Sequence, residues 1–132
     1  MLSSRSVTPP SGAKVLIADD DRLIRALLSE MLLDLGHAVI EAENGLEAVE
    51  LAGRERPDVL ILDFLMPRLS GLDALQRIRA QGLTMPALML TAISDSSLRA
   101  MEGFDLPEAI LGKPFKKREI QRALDRVLRR GG

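Results

Sequence analysis

Cysteine is absent from the 132-residue chain, which excludes disulfides, thiolate metal centres and cysteine nucleophiles. Trp and Tyr are missing as well and only three Phe occur, so a core has to be assembled from Leu, Ile, Val, Ala and Met. No apolar run approaches the roughly 18–20 residues needed to cross a bilayer. The N-terminal stretch MLSSRSVTPPSG lacks the hydrophobic centre of a signal peptide. Nor does charge of one sign dominate: 18 Lys and Arg face 19 Asp and Glu, and a net charge of -1 provides no field toward nucleic acid or a membrane. The expectation is a soluble, cytoplasmic protein whose charged contacts, if any, are local patches.

What is present fits one domain with a full core, since 132 residues are too few for two ordinary ones and 46% hydrophobic against 28% charged is a globular balance. Residues 1–12, rich in Ser and Pro, read as a flexible leader; the domain is expected over residues 13–130, with 131–132 as a tail. Inside those limits, short apolar runs alternate with helical spacing. Lys14–Ala18 reads as a strand, and Leu23–Leu35 as a helix stopped by Gly36. His37–Ala42 is a second strand and Gly45–Arg56 a helix closed by Pro57. The run Val59–Leu62, too short for a helix and without alternation, reads as a strand buried on both faces. A helix over Gly71–Ala80, a strand over Pro86–Thr91, a short helix over Ser94–Glu102 and a strand over Ala109–Gly112 follow. The last helix carries Ile120, Ala123, Leu124, Val127 and Leu128 at i, i+3, i+4, i+7 and i+8. Five strands alternating with five helices predict an α/β fold, a doubly wound parallel sheet with right-handed crossovers.

Such sheets bind ligands at the carboxyl ends of their strands. Those ends hold Asp19 and Asp20 after the first strand, Asp63 after the third, Thr91 after the fourth and Lys113 after the fifth. Each has an ordinary explanation. Asp63 could cap the next turn, and on its own stretch the two readings stand level. The run Asp19–Asp21 could be an N-cap with first-turn charges. Thr91 alone reads as a strand-end hydroxyl, and Lys113 before a proline as a solvated charge, although a Lys-Pro step at a sheet end can be cis. Taken together they point elsewhere. Three gathered carboxylates repel one another unless a hard divalent cation neutralises them, and magnesium, which prefers oxygen ligands and keeps waters, suits the set. Thr91 and Lys113 can meet phosphoryl oxygens, and one carboxylate is left as a nucleophile toward phosphorus.

In these motifs the chain resembles the receiver domains of bacterial two-component response regulators, of the chemotaxis-regulator type. The resemblance covers about residues 13–130. It rests on Val15-Leu-Ile-Ala-Asp-Asp-Asp-Arg22, Leu60-Ile-Leu-Asp-Phe-Leu-Met-Pro67 with Gly71, Leu88-Met-Leu-Thr-Ala92, and Lys113-Pro114-Phe115. It implies Asp63 as the phosphorylated residue, and Asp19 and Asp20 with Asp63 and the Leu65 main-chain carbonyl as the Mg2+ site. It also implies Thr91 as the switch hydroxyl, Lys113 as the phosphate partner, and a flavodoxin-like sheet of order 2-1-3-4-5. Gly71 is expected to close the loop after Asp63 by permitting a sharp turn. The implied partners are a histidine kinase or a histidine phosphotransfer protein upstream, with a homodimer as a further expectation. The module is expected to be a phosphoacceptor switch that catalyses only its own phosphorylation and dephosphorylation.

The chain departs from the pattern where Ile110 stands at the position usually held by a rotating aromatic, and where Gly103 and Pro107 would end the fourth helix early. An unusual signalling surface over residues 94–112 follows. The final helix and its approach, Lys116 to Arg130, hold seven Lys or Arg against Glu119 and Asp125. With no aromatics between these charges, a solvated face or a docking surface outranks nucleic-acid binding. A haloacid-dehalogenase-type phosphatase would need an acid where Leu65 stands. A phosphorylation-independent pseudo-receiver acting as a docking module is the alternative, though the acidic and lysine positions such modules commonly lose are all retained.

Overall fold

A computed structural model of the protein describes residues 12–92, 103 and 105–131. Five parallel strands, β1 (Lys14–Ala18), β2 (Ala38–Ala42), β3 (Val59–Asp63), β4 (Ala87–Thr91) and β5 (Ala109–Gly112), form one sheet in the order β2-β1-β3-β4-β5. This is the order that the resemblance implies. Four helices lie among the described residues: α1 (Arg22–Asp34), α2 (Gly45–Glu55), α3 (Gly71–Ala80) and α4 (Lys117–Gly131). The fifth helix, expected over 94–102, falls outside the described residues, so the expected count of five is corrected to four described. The helix at the C-terminus reaches Gly131, one residue into the expected tail.

Strand alternation divides the core. Val15, Ile17, Val59, Ile61, Leu88 and Leu90 face Leu28 and Leu32 of α1 and Ile120, Leu124 and Val127 of α4. Leu16, Ala18, Leu60, Leu62 and Met89 face Ala48, Leu51 and Ala52 of α2 and Leu75 and Ile78 of α3. The interior strands β3 and β4 are buried at every residue, as continuous apolar runs in a parallel sheet must be. The edge strand β5 alternates half-buried with exposed residues.

Local signals set the helix ends. Asp21 caps α1, its Oδ1 accepting from the Leu23 and Ile24 amides at 2.9 and 3.3 Å. Gly36, at φ 93°, ends that helix in a conformation that costs other residues dearly. Asn44 caps α2 by accepting from the Glu47 amide, Glu47 Oε1 accepts in turn from the Glu43 amide just before the cap, and Ser70 caps α3. No described helix is long and apolar enough to cross a membrane.

Candidate functional site

The register of the sheet assembles the site. Ala18 pairs with Leu62, so Asp19 lies one step further on, beside Asp63, the last residue of β3. Thr91 pairs with Gly112, and Lys113 follows. Asp19 and Asp63 extend the sides of β1 and β3 that face the α1 and α4 layer, the parity of Val15 and Ile17 and of Val59 and Ile61. Lys113 continues the parity of Ala109 and Leu111, which pack into the same layer.

At that convergence the Lys113 ammonium lies 3.0 Å from Asp63 Oδ1 and 3.0 Å from Asp19 Oδ2. Asp19, Asp20 and Asp63 each offer a carboxylate oxygen, all within 4.8 Å of one another. Asp19 and Asp63 are buried, whereas Asp20 is exposed and leaves one side open to solvent. Asp21, the third acid of the run, turns away to cap α1. The N-cap reading of the acidic run thus applies to Asp21, and its two predecessors join the cluster. Burial raises the Asp63 carboxyl above its ordinary value, and the neighbouring charges of Asp19 and Asp20 push it the same way against the pull of Lys113. Burial acts to lower Lys113, but its hydrogen bonds to Asp63 and Asp19 together outweigh that and hold the ammonium above its ordinary value.

Thr91 is buried at the end of β4, and its main-chain oxygen accepts from the Lys113 amide at 2.9 Å. The Lys113–Pro114 peptide is cis. Leu65 sits exposed in the loop after β3. Gly71 opens α3, its amide donating to the Phe64 carbonyl at 2.9 Å. Its φ is not in the left-handed region, so the reason expected for this glycine needs correction. A Cβ there would stand 2.2 Å from the Asp63 carbonyl oxygen, and glycine is required by close approach rather than by a sharp turn. Ile110 is not brought to the site. It lies exposed on β5 and lines a groove of about 430 Å³ against α4, beside Arg122 and Arg126.

Three residues escaped the strand-end reading. Arg25 of α1 donates from Nη1 to the Asp19 main-chain carbonyl at 2.8 Å and from Nε to Glu41 Oε1 of β2 at 3.2 Å. Ser29 donates to Glu41 Oε2 at 2.8 Å. The only trace in the sequence is that Arg25 and Ser29 are four apart and so share a helix face.

Residues 15–125 match the family model described as the response regulator receiver domain. The chain belongs to this family. Among curated relatives of the receiver domain, the response regulator MprA of Mycobacterium leprae (strain TN) is 40% identical over 118 residues, 89% of this chain and 51% of that protein. The chain spans about half the length of the curated relatives it matches. Among solved structures, the Vibrio cholerae chemotaxis protein CheY4 is 33% identical with a TM-score of 0.76, over 89% of this chain and 99% of that one. The receiver domain of the sensor histidine kinase PA1611 from Pseudomonas aeruginosa PAO1, described with a magnesium ion coordinated in its active site cleft, is 32% identical. Its TM-score is 0.77, over 89% of this chain and 98% of that one.

Proposed function

We propose that this receiver domain accepts a phosphoryl group on Asp63, in a Mg2+-dependent transfer from a phosphohistidine of a histidine kinase or phosphotransfer protein, and thereby switches its binding to a partner. The observation that carries this reading is the buried Asp63 carboxylate with the Lys113 ammonium 3.0 Å away and the Asp19 and Asp20 carboxylates beside it. The residues fit magnesium: the donors are all carboxylate oxygens, and the exposed side at Asp20 has room for the waters such an ion keeps. When bound, the ion supplies charge neutralisation for the acidic cluster and the incoming phosphoryl oxygens. Asp19, Asp20, Asp63 and the Leu65 carbonyl would hold it.

In the transfer, a carboxylate oxygen of Asp63 forms the new P–O bond as the P–N bond to the donor imidazole breaks and its electron pair stays on the ring nitrogen. Lys113 offsets the charge carried by the phosphoryl oxygens, and the Thr91 hydroxyl donates to one of them. Hydrolysis of the acyl phosphate returns the starting state, so the module works as a switch rather than as an enzyme on other substrates. Its output surface is the stretch over residues 94–112, where Ile110 replaces the usual aromatic. A cytoplasmic setting and a domain over residues 13–130 belong to the same reading.

The test is incubation with a small phosphodonor and magnesium followed by intact mass. One phosphoryl group should be gained by the native chain and none by Asp63→Asn. Uptake by the Asn variant at an acid-stable position would remove Asp63 from the role. A folded native chain that takes up nothing would favour a phosphorylation-independent docking module.

A further inference from the structure

Arg25 touches none of the reacting groups in that scheme, yet it grips the backbone on which two of them stand. Its side chain is 12% exposed, and its guanidinium is shared between two elements: the Asp19 carbonyl at the end of β1 and the Glu41 carboxylate on β2. Ser29, one turn on along α1, donates to the other oxygen of Glu41, so that carboxylate is itself oriented. The carbonyl of Asp19 belongs to the peptide unit that joins Asp19 to Asp20. The remaining handles of Asp19 are also taken: its amide donates to the Ala42 carbonyl at 3.2 Å, Oδ1 accepts from the Asp21 amide at 2.9 Å, and Oδ2 accepts from Lys113. Asp20, being exposed, has no such burial to aim it, and the preceding peptide plane, whose carbonyl Arg25 holds, helps set the direction in which its side chain leaves the backbone.

A helix-to-strand ion pair alone would add little and would not need the bond to Asp19. The planar fork of a guanidinium can hold a carbonyl and a carboxylate at once in a fixed geometry, which an ammonium cannot. We propose that Arg25 is a positioning residue which, braced by Glu41 and Ser29, locks the Asp19–Asp20 peptide so that both carboxylates face Asp63 across the cation site. This rests on reading the acidic cluster as a magnesium site. Charge and position make opposite predictions here. Arg25 is a cation close to a cation site, so removing it should tighten magnesium binding if charge were its only contribution; loss of the lock should weaken it.

The experiment is calorimetric titration of the full chain with magnesium, well below the melting temperature. It compares the native protein, Asp20→Ala, Arg25→Lys and the double variant Arg25→Met with Glu41→Gln, which leaves the net charge unchanged. Partners that orient metal ligands typically contribute tenfold or more to affinity, so the double variant should bind about tenfold more weakly. Arg25→Lys, which keeps the charge but loses the fork, should fall between it and the native protein. Phosphoryl uptake from a small donor should slow in the same order. Affinity equal to or tighter than native in both Arg25 variants would overturn the proposal, and Arg25→Lys alone suffices should the double variant fail to fold. If Asp20→Ala matched the native affinity, the metal site itself would be misassigned, a failure separate from that of Arg25.

Discussion

Replacing Gly71 by alanine tests how tightly the loop after Asp63 is built. The new Cβ would stand 2.2 Å from the Asp63 carbonyl oxygen and 3.0 Å from Met89 Sδ, whereas real Cβ contacts essentially never fall below 3.0 Å. Something must therefore move by about 1 Å, and the nearest atom is backbone at the end of a fully buried strand, which cannot swing aside as a flexible side chain could. Overpacking of this kind costs about 1–3 kcal/mol, offset in part by roughly 0.4–1 kcal/mol because alanine restricts the unfolded chain more than glycine does. A net loss of about 1–2 kcal/mol remains, or roughly 5 °C in Tm for a chain of this length. Gly36→Ala is the matched control. Gly36 has open space around it but a φ of 93°, so alanine there pays backbone strain of about 1–2 kcal/mol far from the acidic cluster. Thermal or urea unfolding should show similar losses for both variants. Phosphoryl uptake from a small donor, timed at a temperature where both are folded, should slow about tenfold or more only in Gly71→Ala, because the displaced atom belongs to the acceptor residue. Native stability and rate in Gly71→Ala, or equal slowing in both variants, would refute the reasoning.

Removing the ammonium with Lys113→Ala takes a positive charge away from two carboxylates, so magnesium should bind at least as tightly while phosphoryl uptake slows; uptake at the native rate would show that Lys113 does not meet the phosphoryl oxygens. His37 accepts the Ala13 amide on Nδ1 at 2.9 Å, and burial holds its pKa below the ordinary 6.5 against the pull of Asp125. The folded state therefore binds this proton less readily than the unfolded chain, and stability present above about pH 6.5 is lost as pH falls toward the lower folded value. Urea midpoints across that window should decline more steeply for the native protein than for His37→Asn, and equal slopes would count against it. By the resemblance to receiver domains, the second residues after Asp63 and Thr91 flank the approach of water to the phosphoryl group; here they are Leu65 and Ile93, apolar side chains that cannot orient it, so the phosphorylated state should be long-lived. Ile93 lies outside the described residues. Leu65→Asn with Ile93→Glu should speed phosphoryl loss roughly tenfold, about 1.4 kcal/mol of barrier, and an unchanged rate would mean that these side chains do not control water access.

Much of this protein is written in short-range pattern. Apolar runs of strand length alternating with helical spacing announce a parallel sheet, because a crossover helix is the ordinary way to join parallel neighbours, and strand ends then select Asp19, Asp20, Asp63, Thr91 and Lys113. Caps such as Asn44 and Ser70 act within four residues and need nothing from the rest of the chain. Periodicity does not encode which strands lie side by side. The order β2-β1-β3-β4-β5 came from the four motifs through the family they resemble, and the register that sets Asp19 beside Asp63 appears only in the folded sheet. Tertiary structure also separated three consecutive acids that look alike in sequence: Asp19 is buried against Lys113, Asp20 faces solvent, and Asp21 caps a helix. It gave Gly71 a different reason for being glycine, since the carbonyl it makes room for is eight residues away in the chain. It alone joined Arg25 to Glu41 and to Asp19, because a contact between a helix and two strands depends on how those elements pack, and no local spacing carries that information.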